Sequence, residues 1–230
     1  MSGTALISKF GYFGKVPERG DYIHHDVSVE FTEVWSEWLQ SVLAVSKEQL
    51  AEQWLDAFLT SPVWHFSLSP GVCCDKTVIG TMMPSVDQVG RHYFFTTVRE
   101  VNKNPYDYWM SRDWSLKIER HLLKLYDDGN ALEPWLATFS DNDWLIEDEP
   151  VSSSPRIMTS NSKGMIVVDE SESDSDYFIH HLAESSFDNY CIWWTSGSQK
   201  IQKCKLITSG LPLVGQFSAM LDGKWQKWGW

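Results

Sequence analysis

Phe31, Val34, Trp35, Trp38, Leu39, Val42 and Leu43 recur at i, i+3, i+4, i+7 spacing, which lines one stripe of an α-helix with bulky apolar side chains. A stripe that wide must be covered, so the chain needs an apolar layer for this helix to lie on. The material is there: 13 of the 230 residues are Trp, 43% are hydrophobic and 22% charged, the balance of a globular protein. Burying one indole removes about 200 Å² from water, worth about 5 kcal/mol as an upper bound. Trp also serves as an interface anchor, and the sequence alone leaves both uses open.

A second helical pattern, Leu50, Trp54, Phe58 and Leu59, ends ahead of Pro62, whose ring disfavours helix in the residue before it. The two patterns are expected to form a helical hairpin. Residues 63–69, 77–83 and 92–101 are rich in β-branched and aromatic side chains and read as strands, with residues 84–91 as the turn-rich link between the last two. Residues 105–128, with Leu116, Leu122, Leu123 and Tyr126, read as one helix stopped by Gly129. A short helix is expected near 133–139. The mixture of Asp, Glu, Pro and Ser over 140–162 reads as a linker or mobile acidic loop. Order is expected again at 165–168, followed by a helix at 174–183, strands at 190–195 and 202–208, and an apolar helix over 213–221. Short connections between the middle strands favour antiparallel pairing. The expected architecture is α/β, a central mostly antiparallel sheet flanked by helices, in one compact domain over residues 1–230.

The formal net charge is −12, which repels phosphate backbones and anionic headgroups and steers in basic partners. Nucleic acid is therefore not an expected ligand. No stretch approaches the roughly 20 apolar residues that span a bilayer, and residues 1–10 (MSGTALISKF) lack the basic start and apolar run of an export signal. A cytoplasmic location is expected. Cys73, Cys74, Cys191 and Cys204 are too sparse for a disulfide scaffold and read as free thiols.

Candidate chemistry is thin. His24-His25-Asp26 reads as a surface turn, and neither it nor His180-His181 has the spacing of a metal site. Cys73-Cys74 lacks the two intervening residues of a redox pair. Residues 11–15 (GYFGK) are half of a phosphate loop without its Lys-Ser/Thr end, and no cofactor motif is expected elsewhere. Ser85, Asp87 and His92 supply the residue types of a hydrolytic triad, yet no nucleophile-elbow glycines flank the serine. Hydrolysis is the alternative reading, to be decided by whether the three converge in space.

Two short segments stand out: residues 14–21 (GKVPERGD) and 84–91 (PSVDQVGR). Both combine backbone punctuation with opposite charges. Pro fixes φ, Gly admits positive φ, Asp accepts backbone hydrogen bonds and Arg forms bidentate carboxylate pairs. Gly14, Lys15, Pro17, Arg19, Gly20, Asp21, Pro84, Ser85, Asp87, Gly90 and Arg91 are the candidate loop-bracing or contact residues, with Asp87 and Arg91 expected to brace the second loop.

These segments carry a likeness. Residues 11–21 (GYFGKVPERGD) and 84–91 (PSVDQVGR), with Trp64-His65-Phe66-Ser67-Leu68, Trp193-Trp194-Thr195-Ser196-Gly197-Ser198, Gly210-Leu211-Pro212 and residues 217–225 (FSAMLDGKW), resemble the type VI secretion-associated TagF proteins, also called ImpM. The likeness is weakest over 140–188 and departs at Phe94, where the family shows an aromatic followed by proline after Gly-Arg. It implies an α/β fold with a central antiparallel sheet. It also implies a cytoplasmic post-translational repressor of type VI secretion that acts through a forkhead-associated scaffold protein, in some species fused to a phosphatase. No phosphatase portion is expected in this chain. A structural subunit of the secretion apparatus is a further alternative.

Overall fold

The computed structural model describes residues 9–126, 132–141, 157–160, 165–168 and 174–230. In chain order the elements are β1 (Gly11–Gly14), β2 (Ile23–His25), α1 (Val29–Leu50), α2 (Trp54–Leu59), β3 (Trp64–Leu68), β4 (Thr77–Val86), β5 (His92–Val101), α3 (Pro105–Met110), α4 (Asp113–Leu123), α5 (Leu132–Asp141), β6 (Ile157–Ser160), β7 (Met165–Val168), α6 (Asp174–Phe187), β8 (Cys191–Thr195), β9 (Cys204–Thr208) and α7 (Ala219–Asp222). Seven strands form one sheet in the order β2-β1-β5-β4-β3-β8-β9, with antiparallel neighbours throughout. β6 and β7 pair separately. The α/β architecture with an antiparallel sheet is as expected.

Helices cover both faces of the sheet, so β4 is buried along nearly its whole length and its side chains alternate between two cores. Val78 and Met82 join one core, with α1, α2 and α7, while Ile79 and Met83 join the other, with α3, α4 and α5. The α1 stripe works as its spacing demands: Phe31, Trp35, Trp38, Leu39 and Val42 are buried, whereas Val34 lies exposed at the stripe's margin. Ser28 caps the helix by accepting from the Phe31 N–H at 3.4 Å, and Glu30 and Lys47 suit its two ends. A three-residue 3-10 turn joins α1 to α2, and Trp54 Nε1 donates to Ser46 Oγ at 3.0 Å across it.

Among the described residues eight Trp rings are buried, and every one of these indoles donates its N–H. Trp35 bonds Thr96 Oγ1, Trp38 the Pro212 carbonyl and Trp64 the Met220 carbonyl. Trp54, Trp114, Trp135, Trp193 and Trp194 are likewise matched. Pairing removes the cost of burying a polar group. Trp35 is the hub of the first core, its ring centre 4.6 Å from Phe66 and 4.9 Å from Trp38.

Several expectations are corrected. The helix over 105–128 breaks at Ser111-Arg112 into α3 and α4. The break turns Trp114 into the core, where its Nε1 donates to the Tyr108 carbonyl at 3.2 Å, and Arg112 Nη1 donates to the Trp109 carbonyl at 3.2 Å. These bonds satisfy carbonyls that continuous helix would have used. Leu116, Leu123 and Tyr126 are exposed, and Ile118 and Leu122 take the core positions. The apolar helix over 213–221 divides into a 3-10 turn and the four-residue α7, stopped by Gly223 at φ 73°. Residues 84–86 belong to β4, and His24-His25 lies in edge strand β2 instead of a turn. Of the segment read as a mobile acidic loop over 140–162, the described residues are the end of α5 and all of β6, and the rest lies outside them, as does Gly129. All four cysteines are free thiols.

Trp35→Ala is expected to cost about 3–5 kcal/mol, since it removes a fully buried ring together with its hydrogen bond. Urea unfolding checks this, and a midpoint equal to the parent's would contradict the hub role.

Candidate functional site

The register of the sheet brings the two segments together. β1 pairs with β5 through Phe13↔Thr96, and β5 pairs with β4 up to His92↔Val86. The chain leaving β1 therefore runs beside the β4–β5 turn. Gly14 is needed at this approach: its φ is 143°, and a Cβ there would lie 2.4 Å from the Phe94 carbonyl oxygen. Lys15 follows and is buried.

Asp87 is the centre of the arrangement. Its side chain has no exposed surface, and four hydrogen bonds saturate its carboxylate. Oδ2 accepts from Lys15 Nζ and Arg91 Nε, each at 2.6 Å, and Oδ1 accepts from the N–H groups of Arg91 at 2.8 Å and Val89 at 3.1 Å. The turn is closed by Asp87 N–H to the Arg91 carbonyl and Gly90 N–H to the Asp87 carbonyl, both at 3.0 Å, with Gly90 at φ 83°. Two bonds stitch this turn to the first segment. Gln88 N–H donates to the Arg19 carbonyl at 3.1 Å, and Arg91 Nη2 donates to the Gly20 carbonyl.

Burial alone would raise the Asp87 carboxyl. The hydrogen bonds from Lys15 and from the Arg91 backbone and side chain, together with the Lys15 charge, outweigh it and hold the group well below the usual carboxylate range. The Arg91 bracing expected from sequence is present, but as one arm of a three-residue unit. Its guanidinium gives one donor to Asp87 and another to Gly20 instead of a bidentate pair. Lys15, 72 residues away, is the buried partner.

The remaining candidates divide. Arg19 pairs with Glu133 of α5, but both side chains are largely exposed, so the pair contributes little. Asp21 is exposed and Pro17 half-buried. Pro84 sits in β4 opposite Phe94, beyond the last β3–β4 pair, Trp64↔Met82, where no neighbouring strand requires its missing N–H. Its carbonyl accepts from Tyr126 Oη at 3.0 Å. Tyr22, which sequence reasoning did not single out, stacks on Phe13 at 5.6 Å, meets Tyr93 edge-on at 5.0 Å and lies 4.8 Å from Lys15 Nζ. The signal for it was the aromatic residue directly after Asp21.

Ser85, Asp87 and His92 do not converge. Asp87 is consumed by Lys15 and the turn, the His92 ring meets Trp54 and Phe58 edge-on, and Ser85 lines a cleft with Leu123 and Tyr126. No hydrogen bond links any two of them, so the base and nucleophile of a triad are not in reach of each other. Among the described residues no group of three His, Cys, Asp or Glu is placed to hold a metal ion, and no helix is long and apolar enough to cross a membrane.

Residues 11–141, which contain both segments, match the family model described as TagF N-terminal domain, type VI secretion system-associated. Among solved structures, the chain is similar to PA0076 from Pseudomonas aeruginosa PAO1, at 27% identity over 94% of each chain with a TM-score of 0.74. No curated protein matches.

Acid should destabilise the fold in two windows. Burial lowers the pKa of His65, His121 and His180 relative to the unfolded chain, so the unfolded state binds more protons and stability falls as pH drops below about 6.5. Asp87 is depressed below its unfolded value, and its contribution is present above about pH 4 and lost on further acidification. Asp87→Asn is expected to lower the Tm at pH 7 by more than Arg91→Ala and to flatten only the lower window. Melting curves across pH check this, and an Asp87→Asn profile that parallels the parent's below pH 4 would contradict it.

Proposed function

We propose, on the premise that this chain belongs to the TagF family of type VI secretion system-associated proteins, that it is a non-catalytic, cytoplasmic repressor. It would hold assembly of the secretion machine off by binding a forkhead-associated scaffold protein. The observation that carries the reading is the Asp87 node, which locks two segments 72 residues apart into one stiff surface. A surface held in one geometry loses little freedom on docking. Reactive groups there are already spent on each other, which favours recognition over turnover.

The exposed rim suits a protein partner. Val89 is 68% exposed at the tip of the turn, flanked by the exposed Gln88, Gly90 and Arg91, with the Arg19 and Gly20 carbonyls bonded to Gln88 and Arg91. A projecting apolar residue ringed by polar groups has the arrangement of an interface anchor. The chain's net charge of −12 would speed encounter with a basic docking surface.

Co-purification with the forkhead-associated scaffold at physiological salt tests the reading. A complex is expected, weakened about tenfold by Val89→Asp with the Tm unchanged, as for loss of one anchor. Absence of a complex where a positive control forms one would overturn it. An undiminished complex with Val89→Asp would move the contact away from these loops.

A further inference from the structure

We infer that the outer edge of β9 takes an extended acidic segment of a partner protein as an eighth strand of the sheet. β9 closes the sheet at the edge opposite β2, and among the described residues no strand pairs with its outer side. Such an edge presents unsatisfied N–H and C=O groups along its length, a template for a further strand.

The side chains along this edge select the occupant. Leu206 packs into the first core, while Lys205 and Ile207 turn to the other face of the sheet. Among the described residues, that face stays open at β9 between α3, α4 and α6. A cleft of about 580 Å³ runs between β9 and the α3–α4 break, bordered by Trp109, Arg112, Trp194, Lys203 and Lys205. An apolar groove of about 300 Å³ adjoins it past Trp109 and Lys205, lined by Tyr106, Ile192 and Ile207. Trp109 is the shared wall, with Arg112 Cζ 5.1 Å and Lys205 Nζ 4.5 Å from its ring centre. The cations are thus gathered by cation–π contact.

Charge decides what can lie there. Lys15, Lys76, Lys200, Arg19 and Arg91 each pair with a carboxylate. Among the described residues, Arg112, Lys203 and Lys205 form no salt bridge, and Asp113 is the acidic residue in the cleft. An excess of unneutralised cations in a strongly acidic chain favours a carboxylate-bearing ligand locally. Lysine on an edge strand opposes neutral and basic strands and favours acidic ones. A second copy would bring another Lys203 and Lys205 to the same ribbon, so like-charge repulsion disfavours it.

Register gives the motif. Lys205 and Ile207 lie on one face of β9, Lys203 in the bend just before the strand borders the same cleft as Lys205, and antiparallel addition would continue the pairing of the whole sheet. The incoming strand then reads, from its N-terminus, apolar-x-acidic-x-acidic. This surface lies across the sheet from the Asp87 loops and does not depend on the identity of the scaffold proposed above.

The test is titration of the full chain with a fluorescein-labelled peptide TITETET and its charge-swapped form TITKTKT, up to about 1 mM, the weak end of specific recognition, with amide hydrogen exchange read over β9. The result expected is saturable binding of the acidic peptide only, new protection over residues 204–208, and an affinity about tenfold lower in Lys203→Glu/Lys205→Glu with unchanged Tm. Four results would each overturn the inference. They are no binding, equal binding of both peptides, competition by tripolyphosphate with no new β9 protection (a simple anion site), or protection, before peptide is added, of the β9 amides that point away from β8. In the last case, protection that grows with protein concentration together with a dimer in sedimentation identifies a second copy as the occupant. Protection that is independent of concentration identifies the chain's own acidic stretch.

Discussion

A carboxylate removed from water is tolerated only when its charge and lone pairs are matched. Asp87 meets that condition by drawing Lys15 and Arg91 onto one oxygen and two backbone N–H groups onto the other. The geometry requires β1 to lie beside β5 and β5 beside β4, because only that order brings Lys15 to the far side of the turn. The ion cluster and the strand order therefore enforce one another. Losing either leaves a buried charge unpaired, so the two segments can hardly shift independently.

The aromatic core supplies the rigidity behind that node. The buried indoles each donate to a fixed acceptor, in two cases a carbonyl far away in sequence, Pro212 for Trp38 and Met220 for Trp64. The rings thus tie α1 and β3 to the C-terminal segment with direction as well as apolar area. Among the described residues two surfaces carry the contacts proposed above. One is the ridge around Val89 and Arg91, and the other is the edge of β9, at the sheet margin opposite β2.

Much of this was readable from residues alone because strong periodicity survives tertiary context. The α1 stripe, the strands expected at 63–69, 77–83 and 92–101, and the conspicuous charge in the two segments are of that kind. What was hidden is what depends on distant partners. Gly11–Gly14 and Ile23–His25 have no apolar alternation of their own and are strands because β5 and each other supply hydrogen bonds. The helix over 105–128 was broken by the demand of Trp114 for the core and for the Tyr108 carbonyl. The local pair of Asp87 and Arg91 could be seen at four-residue spacing. Lys15 and Glu133 could not, since nothing in a one-dimensional pattern says that residues 72 or 114 positions apart will meet.

The central claim is that one carboxylate couples the two loops, and amide hydrogen exchange in Asp87→Asn measures that coupling directly. Exchange over residues 15–21 and 88–91 should quicken together, while β3 at the middle of the sheet stays protected as in the parent. Faster exchange confined to 88–91, with 15–21 unmoved, would mean that the loops are held separately and would contradict the account.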